Sequence, residues 1–398
     1  MAPPSDARTP LLRAHDTTAA RDAPGARNVA APAGAAPASD APPAAALPAA
    51  SLQPPTPLPH AVRLVSVNVW CHHFAALRSL VPSPRACWRR APPRAPALMP
   101  MVPFGARLDA IADALAGADI VSVQELFVLR VGPLVLRGAW ARFAERMAAA
   151  GLLHRSAPDA SLPRFFGHNS GLALFSRWPL DTVRSLTFAR TRERLNRKGA
   201  LVALVHPPGA ASPVVICVAH LDKRSGCAKT AQLAELGGAA RGALARAPPE
   251  RACALVLCGD FNVAPPAGCG GRDGDGGTGG GESEGEGEWA ALVGALTEPG
   301  APAAINGWAP GAPADLAPRR AGAWPRTHGG RTVDHAWLLA AGGEDGGGGG
   351  AVRFDGACEA LRPRHARTGL LATDHAAVVA RLLLDSAGDN RPPTATAV

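Results

Sequence analysis

The chain has 398 residues, 47% of them apolar, and carries 41 basic against 32 acidic side chains for a formal net charge of +9. That is enough apolar material for a large buried core, yet no run approaches the roughly 18 apolar residues that a membrane-spanning helix needs. Eight cysteines lacking CxxC or Cys/His ligand spacing argue against a zinc module and a disulfide framework. The basic surplus favours phosphate-bearing partners or an anionic membrane surface. It is concentrated outside the tract 270–288, where six acids face only Arg272. A GC-rich coding bias explains the same surplus equally well, because only three lysines and no tyrosine stand beside many Ala, Gly, Pro and Arg residues.

In chain order, residues 1–60 form an Ala/Pro-rich tail expected to be disordered. Its arginines faintly resemble a transit peptide, but Asp6, Asp16, Asp22 and Asp40 argue against organelle targeting. The expectation is a soluble protein, cytoplasmic or peripheral to a membrane, with one folded domain over 61–385. Its first strand, Ala61–Trp70, delivers Asn68 at its end. A Pro/Arg-rich stretch at 82–105 suits an exposed basic loop or an unstructured insertion. Leu108, Ile111 and Leu115 then repeat at helical spacing over Phe104–Ala116. The strand Asp119–Gln124 ends on Glu125, and a helix over Arg137–Ala150 stops at Gly151. Gly167–Gly171 reads as a tight turn that could also present Asn169 to a ligand. The basic run Arg190–Lys198 reads as a solvated loop, although Lys198, adjoining the start of the strand GALVALV, could face a phosphate. Val214–Val218 leads to His220, and Ala228–Arg246 is helical.

The central stretch is Ala254–Asn262, ALVLCGDFN: an apolar strand that delivers Asp260 and Asn262 into a loop, where ligands bind in α/β folds. Flexible insertions are expected near 266–288 and 341–350. Between them lie a short helix over Trp289–Leu296, a Pro/Gly-rich loop over 300–330, and the strand Arg331–Leu339 carrying Asp334. Thr373-Asp374-His375 precedes the last strand, Ala376–Leu384, and 386–398 is expected to be disordered. Each polar strand end has a bland reading of its own, such as an Asx turn or a structural histidine. Together they form a set that chemistry could use. Glu125 could hold a hard cation such as Mg²⁺, which prefers a few carboxylates with water and phosphate oxygens.

The order Asn68, Glu125, His220, Asp260 and Asn262, Asp334, Asp374-His375, with the motifs QE, GDFN and TDH, resembles the endonuclease/exonuclease/phosphatase superfamily over about residues 61–385. The resemblance implies a metal-dependent phosphoesterase of α/β (α+β) class. Its fold would be the deoxyribonuclease-like four-layer sandwich, two mostly antiparallel sheets flanked by helices. It implies Mg²⁺, or Mn²⁺ in its place, held by Glu125 with Asn68 and Asp374. His375 would be the general base oriented by Asp334, with Asp260 and Asn262 positioning water and phosphate. His220 would bind a phosphoryl oxygen or protonate the leaving group. Ala219, Thr373 and His335 depart from the usual Thr-His-Leu, Ser-Asp-His and aromatic positions, while the catalytic residue types are intact.

Within the superfamily, Asn68-Val69-Trp70, Asn169–Leu180 and above all Leu195–Val205, with Lys198-Gly199 before the strand, resemble neutral sphingomyelinases. This implies phosphocholine release from sphingomyelin, with Asn169 and Lys198 binding substrate and a lipid as partner through peripheral membrane contact. A metal-dependent nuclease acting on nucleic acid is the alternative that the basic charge keeps open. A non-catalytic phospholipid- or nucleic-acid-binding relative is the reading from a different class.

Overall fold

Residues 60–70, 103–158, 162–193, 196–223, 226–246, 254–265, 282–297, 304–306, 327, 333–340 and 352–385 are described by the structure, a computed structural model. The expected tails up to 59 and from 386, residues 82–102 of the Pro/Arg-rich stretch and the glycine insertion at 341–350 lie outside the described residues, while His60 opens the first strand and Phe104 the first helix. The first half comprises strand β1 (His60–Asn68), helix α1 (Phe104–Ala114), β2 (Ile120–Gln124), β3 (Leu129–Val131), β4 (Leu134–Leu136) and α2 (Gly138–Ala149). Strands β5 (His154–Arg155), β6 (Phe166–His168), β7 (Ala173–Ser176), β8 (Leu180–Thr187), β9 (Gly199–Val205) and β10 (Val214–His220) follow. The second half comprises α3 (Cys227–Ala245), β11 (Ala254–Asp260), α4 (Glu282–Thr297), β12 (Ala304–Asn306), β13 (Asp334–Ala340), β14 (Val352–Phe354), β15 (Glu359–Leu361) and β16 (Ala377–Leu384).

Two large sheets carry the fold. One runs β14-β16-β1-β2-β7-β5, with β15 also on β16, and the other runs β12-β13-β11-β10-β9-β8. Every neighbouring pair in them is antiparallel except β1/β2 and β10/β11. Strand periodicity sorts the side chains: Val62 and Leu64 of β1 enter the core shared with Leu201, Ile216 and Leu257 of the second sheet. Val65 and Val67 face the other way, onto Leu108 and Ile111 of α1 and Phe143 and Met147 of α2. On the far side α3 and α4 cover the second sheet through Leu233, Leu236, Trp289 and Leu292. Burying each such aliphatic side chain is worth about 1.5–3 kcal/mol. The central strands β2, β10 and β11 are buried along their whole length, because each has a sheet on one face and helices on the other. Cys217 and Cys258 are buried free thiols; burial first of all pushes both above the ordinary thiol value, Cys258 to about 11. They act as small apolar fillers, as their setting in apolar runs predicts.

The expected short helix Trp289–Leu296 begins earlier, at Glu282, so the insertion expected to extend to 288 ends before it. Glycine-rich sequence is a poor helix former, but tertiary anchoring overrides that preference. Trp289, Leu292 and Leu296 are buried, and Glu288 Oε2 lies 2.9 Å from the buried Lys229 Nζ.

Candidate active site

Register brings the polar strand ends together. In the second sheet His220 pairs with Asp260 across β10/β11, and Asp260 pairs with Asp334 across β11/β13. Three polar side chains therefore stand in one cross-strand row. In the first sheet Asn68 pairs with Gln124, which puts Glu125 one residue beyond the end of β2. The segment before β16 arrives beside them, since Thr373 Oγ1 donates to the Asn68 carbonyl at 2.7 Å. Closing the sandwich joins the two sets: Asn68 Nδ2 donates to Asp260 Oδ2 at 3.0 Å and to Glu125 Oε1 at 3.2 Å.

Two glycines make this approach possible. A Cβ at Gly259, φ +141°, would sit 2.0 Å from the Ala219 carbonyl oxygen, so the strand carrying Asp260 could not lie so close to the one carrying His220. At Gly171, φ +69°, a Cβ would meet Phe127 at 2.7 Å and the Glu125 Cα at 2.9 Å. Glu125 and Asn262 themselves adopt left-handed backbone, with φ of 61° and 50°, a conformation that non-glycine residues hold at a cost and that clusters at functional sites.

The result is a pocket of about 140 Å³ whose lining includes Glu125, Lys198, His220, Asp260, Asp374 and His375. Asn262, Trp70, Glu193 and Lys223 contribute the rest of its wall. His375 Nδ1 lies 2.9 Å from Asp334 Oδ2, and its Nε2 lies 3.8 Å from Asp260 Oδ2. Burial works against a charged ring at His375, but Asp334 and then Asp260 outweigh it and push its pKa up to about 10. Burial likewise opposes ionisation of Asp260, yet His375, His220 and Lys198 together hold that carboxyl below its usual range. His220 behaves oppositely: burial first, then the adjacent Lys198, lowers it to about 4. Its ring is therefore neutral near pH 7, and Lys198 Nζ donates to Nε2 at 2.7 Å while also lying 3.4 Å from Glu193 Oε2.

Of the ten residues picked out from the sequence, Glu125, Lys198, His220, Asp260, Asn262, Asp374 and His375 share this pocket. Asp334 stands directly behind His375. Asn68 also lies behind the pocket wall: its Oδ1 accepts from the Trp70 N–H at 2.9 Å, which turns Nδ2 toward the two carboxylates. Asn169 is engaged elsewhere, its Oδ1 accepting from the N–H groups of Val128 and Gly171 at 2.8 and 3.2 Å. That is the tight-turn role, holding the backbone that follows Glu125. Lys198, in a run read as a solvated loop, is buried.

The sequence reading missed three supporting residues. Thr327, inside the stretch read as loop, accepts at Oγ1 from the N–H groups of Val333 and Asp334 and at its carbonyl from Ala376 N–H; it ties the Asp334 strand to the His375 segment. The guanidinium of buried Arg107 donates to the carbonyls of Ala372 and Trp70 at 3.0 and 3.2 Å. Lys229 donates to the Asn262 carbonyl at 2.8 Å. A cation inside a helical segment between loops is the only sequence signal for the last two, and it does not identify their partners.

The family model described as Endonuclease/Exonuclease/phosphatase family matches residues 65–338. The chain belongs to this family. Chain order and pocket geometry agree with that membership, and the expected fold, two mostly antiparallel sheets between helical layers, is the one observed. Family members are metal-dependent phosphoesterases. No curated protein matches the chain. Among solved structures, an endonuclease/exonuclease/phosphatase from Beutenbergia cavernae has a TM-score of 0.45 and 18% identity, over 82% of this chain and 72% of that one. Beta toxin from Staphylococcus aureus has a TM-score of 0.47 and 13% identity, over 80% and 99%. D. rerio TDP2 complexed with a single-strand DNA product has 0.47 and 14%, over 81% and 98%.

A divalent metal suits this donor set. Glu125, Asp260 and Asp374 bring carboxylate oxygens, and Asn262 an amide, to one small polar pocket, as a hard cation requires. Asp260, Asp334 and His375 also have ligand atoms within 4.8 Å of one another. In that triple, however, Nδ1 of His375 is already committed to Asp334.

Proposed function

We propose that this chain is a sphingomyelin phosphodiesterase, releasing phosphocholine by attack of a water that His375 activates. The observation that carries the hydrolytic reading is the His375–Asp334 pair, at 2.9 Å, facing the same pocket as Glu125 and Asp260. Asp334 accepts the Nδ1 proton and fixes the ring so that Nε2 faces the pocket. Because Asp334 and Asp260 raise the ring to about 10, it acts as base to water only once Nε2 has lost its proton, a form that a cation held by Glu125 and Asp374 would favour. Glu125 and Asp374 would hold Mg²⁺ or Mn²⁺, with Asn68 orienting Glu125. Bound there, the metal supplies charge neutralisation at the phosphoryl oxygens. Asp260 and Asn262 position the water and the phosphate.

Lys198 presents its ammonium to a phosphoryl oxygen while donating to a neutral His220. This refines the role expected for His220, whose own low pKa makes it a poor resting acid. Support for sphingomyelin over other phosphodiesters is the Lys198-Gly199 pair opening β9, together with the Asn68–Trp70 and Asn169–Leu180 segments. The test offers the purified protein sphingomyelin, lysophospholipid, plasmid DNA and inositol phosphates in parallel, with Mg²⁺, with Mn²⁺ and with chelator. Metal-dependent release of phosphocholine from sphingomyelin is expected. Cleavage of DNA alone would replace this reading by the nuclease one, and no turnover of any substrate would make the chain a binding relative.

A further inference from the structure

Most of the exposed large apolar side chains of the described residues gather on one small element. Strands β4, β3 and β6 form a separate three-stranded sheet. Its register pairs Leu134 with Val131 and Val131 with Phe166, while Leu136 pairs with Leu129 and Leu129 with His168. Paired residues in antiparallel strands share a face, and residues two apart return to it. One face thus carries two rows. The row of Leu129 and His168 is buried at the root, while the outer row stays open, with Leu134 62%, Phe166 46% and Val131 41% exposed. Leu136, the edge-strand member of the inner row, is 45% exposed and extends the patch, while Phe165, 77% exposed, lies one residue before Phe166 and turns to the other face.

The flanks are basic. Arg137 follows Leu136, Arg164 precedes Phe165, both are exposed, and neither 126–144 nor 160–180 contains an acidic residue. Exposed apolar side chains beside arginines, without acids, suit the headgroup boundary of a bilayer containing anionic lipid. The sheet is also rooted in the site. Leu126 N–H donates to the Gly171 carbonyl at 2.9 Å, so the strands leave on either side of Glu125. Val131 is six residues beyond Glu125, a reach of no more than about 20 Å at strand rise.

We propose that this sheet is a membrane-docking element, inserting Val131, Leu134 and Phe166 into the lipid surface with Arg137 and Arg164 on the headgroups. In purpose it rests on the lipid-substrate reading above, because docking here brings the pocket to its substrate. Binding is therefore measured apart from turnover. Full-length protein in chelator is floated with phosphatidylcholine vesicles, with and without phosphatidylserine, alongside Leu134→Glu/Phe166→Glu, Leu134→Ser/Phe166→Ser and Arg137→Gln/Arg164→Gln. Hydrolysis of the soluble diester bis(4-nitrophenyl) phosphate is followed in parallel with metal.

Wild type should bind, and both apolar double variants should bind about tenfold or more weakly. The arginine pair should lose the phosphatidylserine-dependent, salt-sensitive part. All variants should turn over the soluble diester as wild type does. Wild-type protein that stays off the vesicles, or apolar variants that float as well as wild type, would overturn the proposal. So would light scattering that shows an oligomer which the variants dissolve, since the face would then join copies of the chain. Vesicle binding through these residues without any sphingomyelin turnover would support the docking surface and overturn the substrate reading.

Discussion

Removing the orienting carboxylate separates a catalytic His–Asp pair from a structural one. Asp334 and His375 are both buried and lie 2.9 Å apart, with Asp260 as the next carboxylate at 3.8 Å from the ring. Asp334→Asn keeps the side-chain volume but removes the charge that favours the Nδ1-protonated ring and the imidazolium formed as water loses its proton. His375→Ala removes the base altogether. Loss of a general base lowers the rate by about 10²–10⁴, equivalent to about 3–5 kcal/mol of transition-state stabilisation. His375→Ala also leaves Asp334 and Asp260 buried without their cationic neighbour, and breaking a buried pair on one side costs about 3–5 kcal/mol of stability. Turnover must therefore be expressed per folded molecule, from thermal melts and steady-state kinetics on the same preparations. Asp334→Asn, which removes the charge of the other partner of the same buried pair, should also melt below wild type, with kcat per folded molecule reduced at least about a hundredfold and KM little changed. A folded His375→Ala protein with wild-type turnover, merely less stable, would refute the mechanism.

Chelation should abolish turnover and Glu125→Gln should greatly reduce it with the fold intact by circular dichroism; full activity in chelator would remove the metal. Lys198→Met should lower turnover and move the His220 titration, followed by NMR, upward from about 4, because Lys198 is the second cause of its depression after burial. Below its unfolded value of 6.5 the unfolded chain protonates His220 before the folded one does. The His220 contribution is thus fully present above that pH and is lost as pH falls toward about 4, by about 3 kcal/mol; His220→Gln should flatten this part of the acid-denaturation curve. Glu288→Ala should lower stability by about 3 kcal/mol by stranding the buried Lys229; an unchanged melting temperature would show the pair to be idle.

The sequence by itself determined strands β1, β2, β9, β10, β11, β13 and β16, three helices to within two residues at each end, and the set of polar residues at strand ends, because periodicity and turn chemistry are local properties. Asp260, Asn262, Glu125 and His375 were legible for that reason, and their order along the chain was enough for the family. The short strands β3, β4 and β6 and the edge strands β8, β12, β14 and β15 were not legible there, and neither was pairing. Only tertiary structure decided that Asn68 spends its amide on two carboxylates, that Asn169 holds backbone rather than lining the pocket, and that Lys198 leaves a basic run to lie buried against His220. It also decided that Glu288, in a tract that composition marks as a loose insertion, belongs to a helix locked onto Lys229. These outcomes depend on partners distant in sequence: Thr327 with Asp334 and Ala376, Arg107 with Ala372, Asn68 with Asp260 at a separation of 192 residues. A buried polar group takes whichever complementary partner the packing presents, and local sequence carries no record of which one that is.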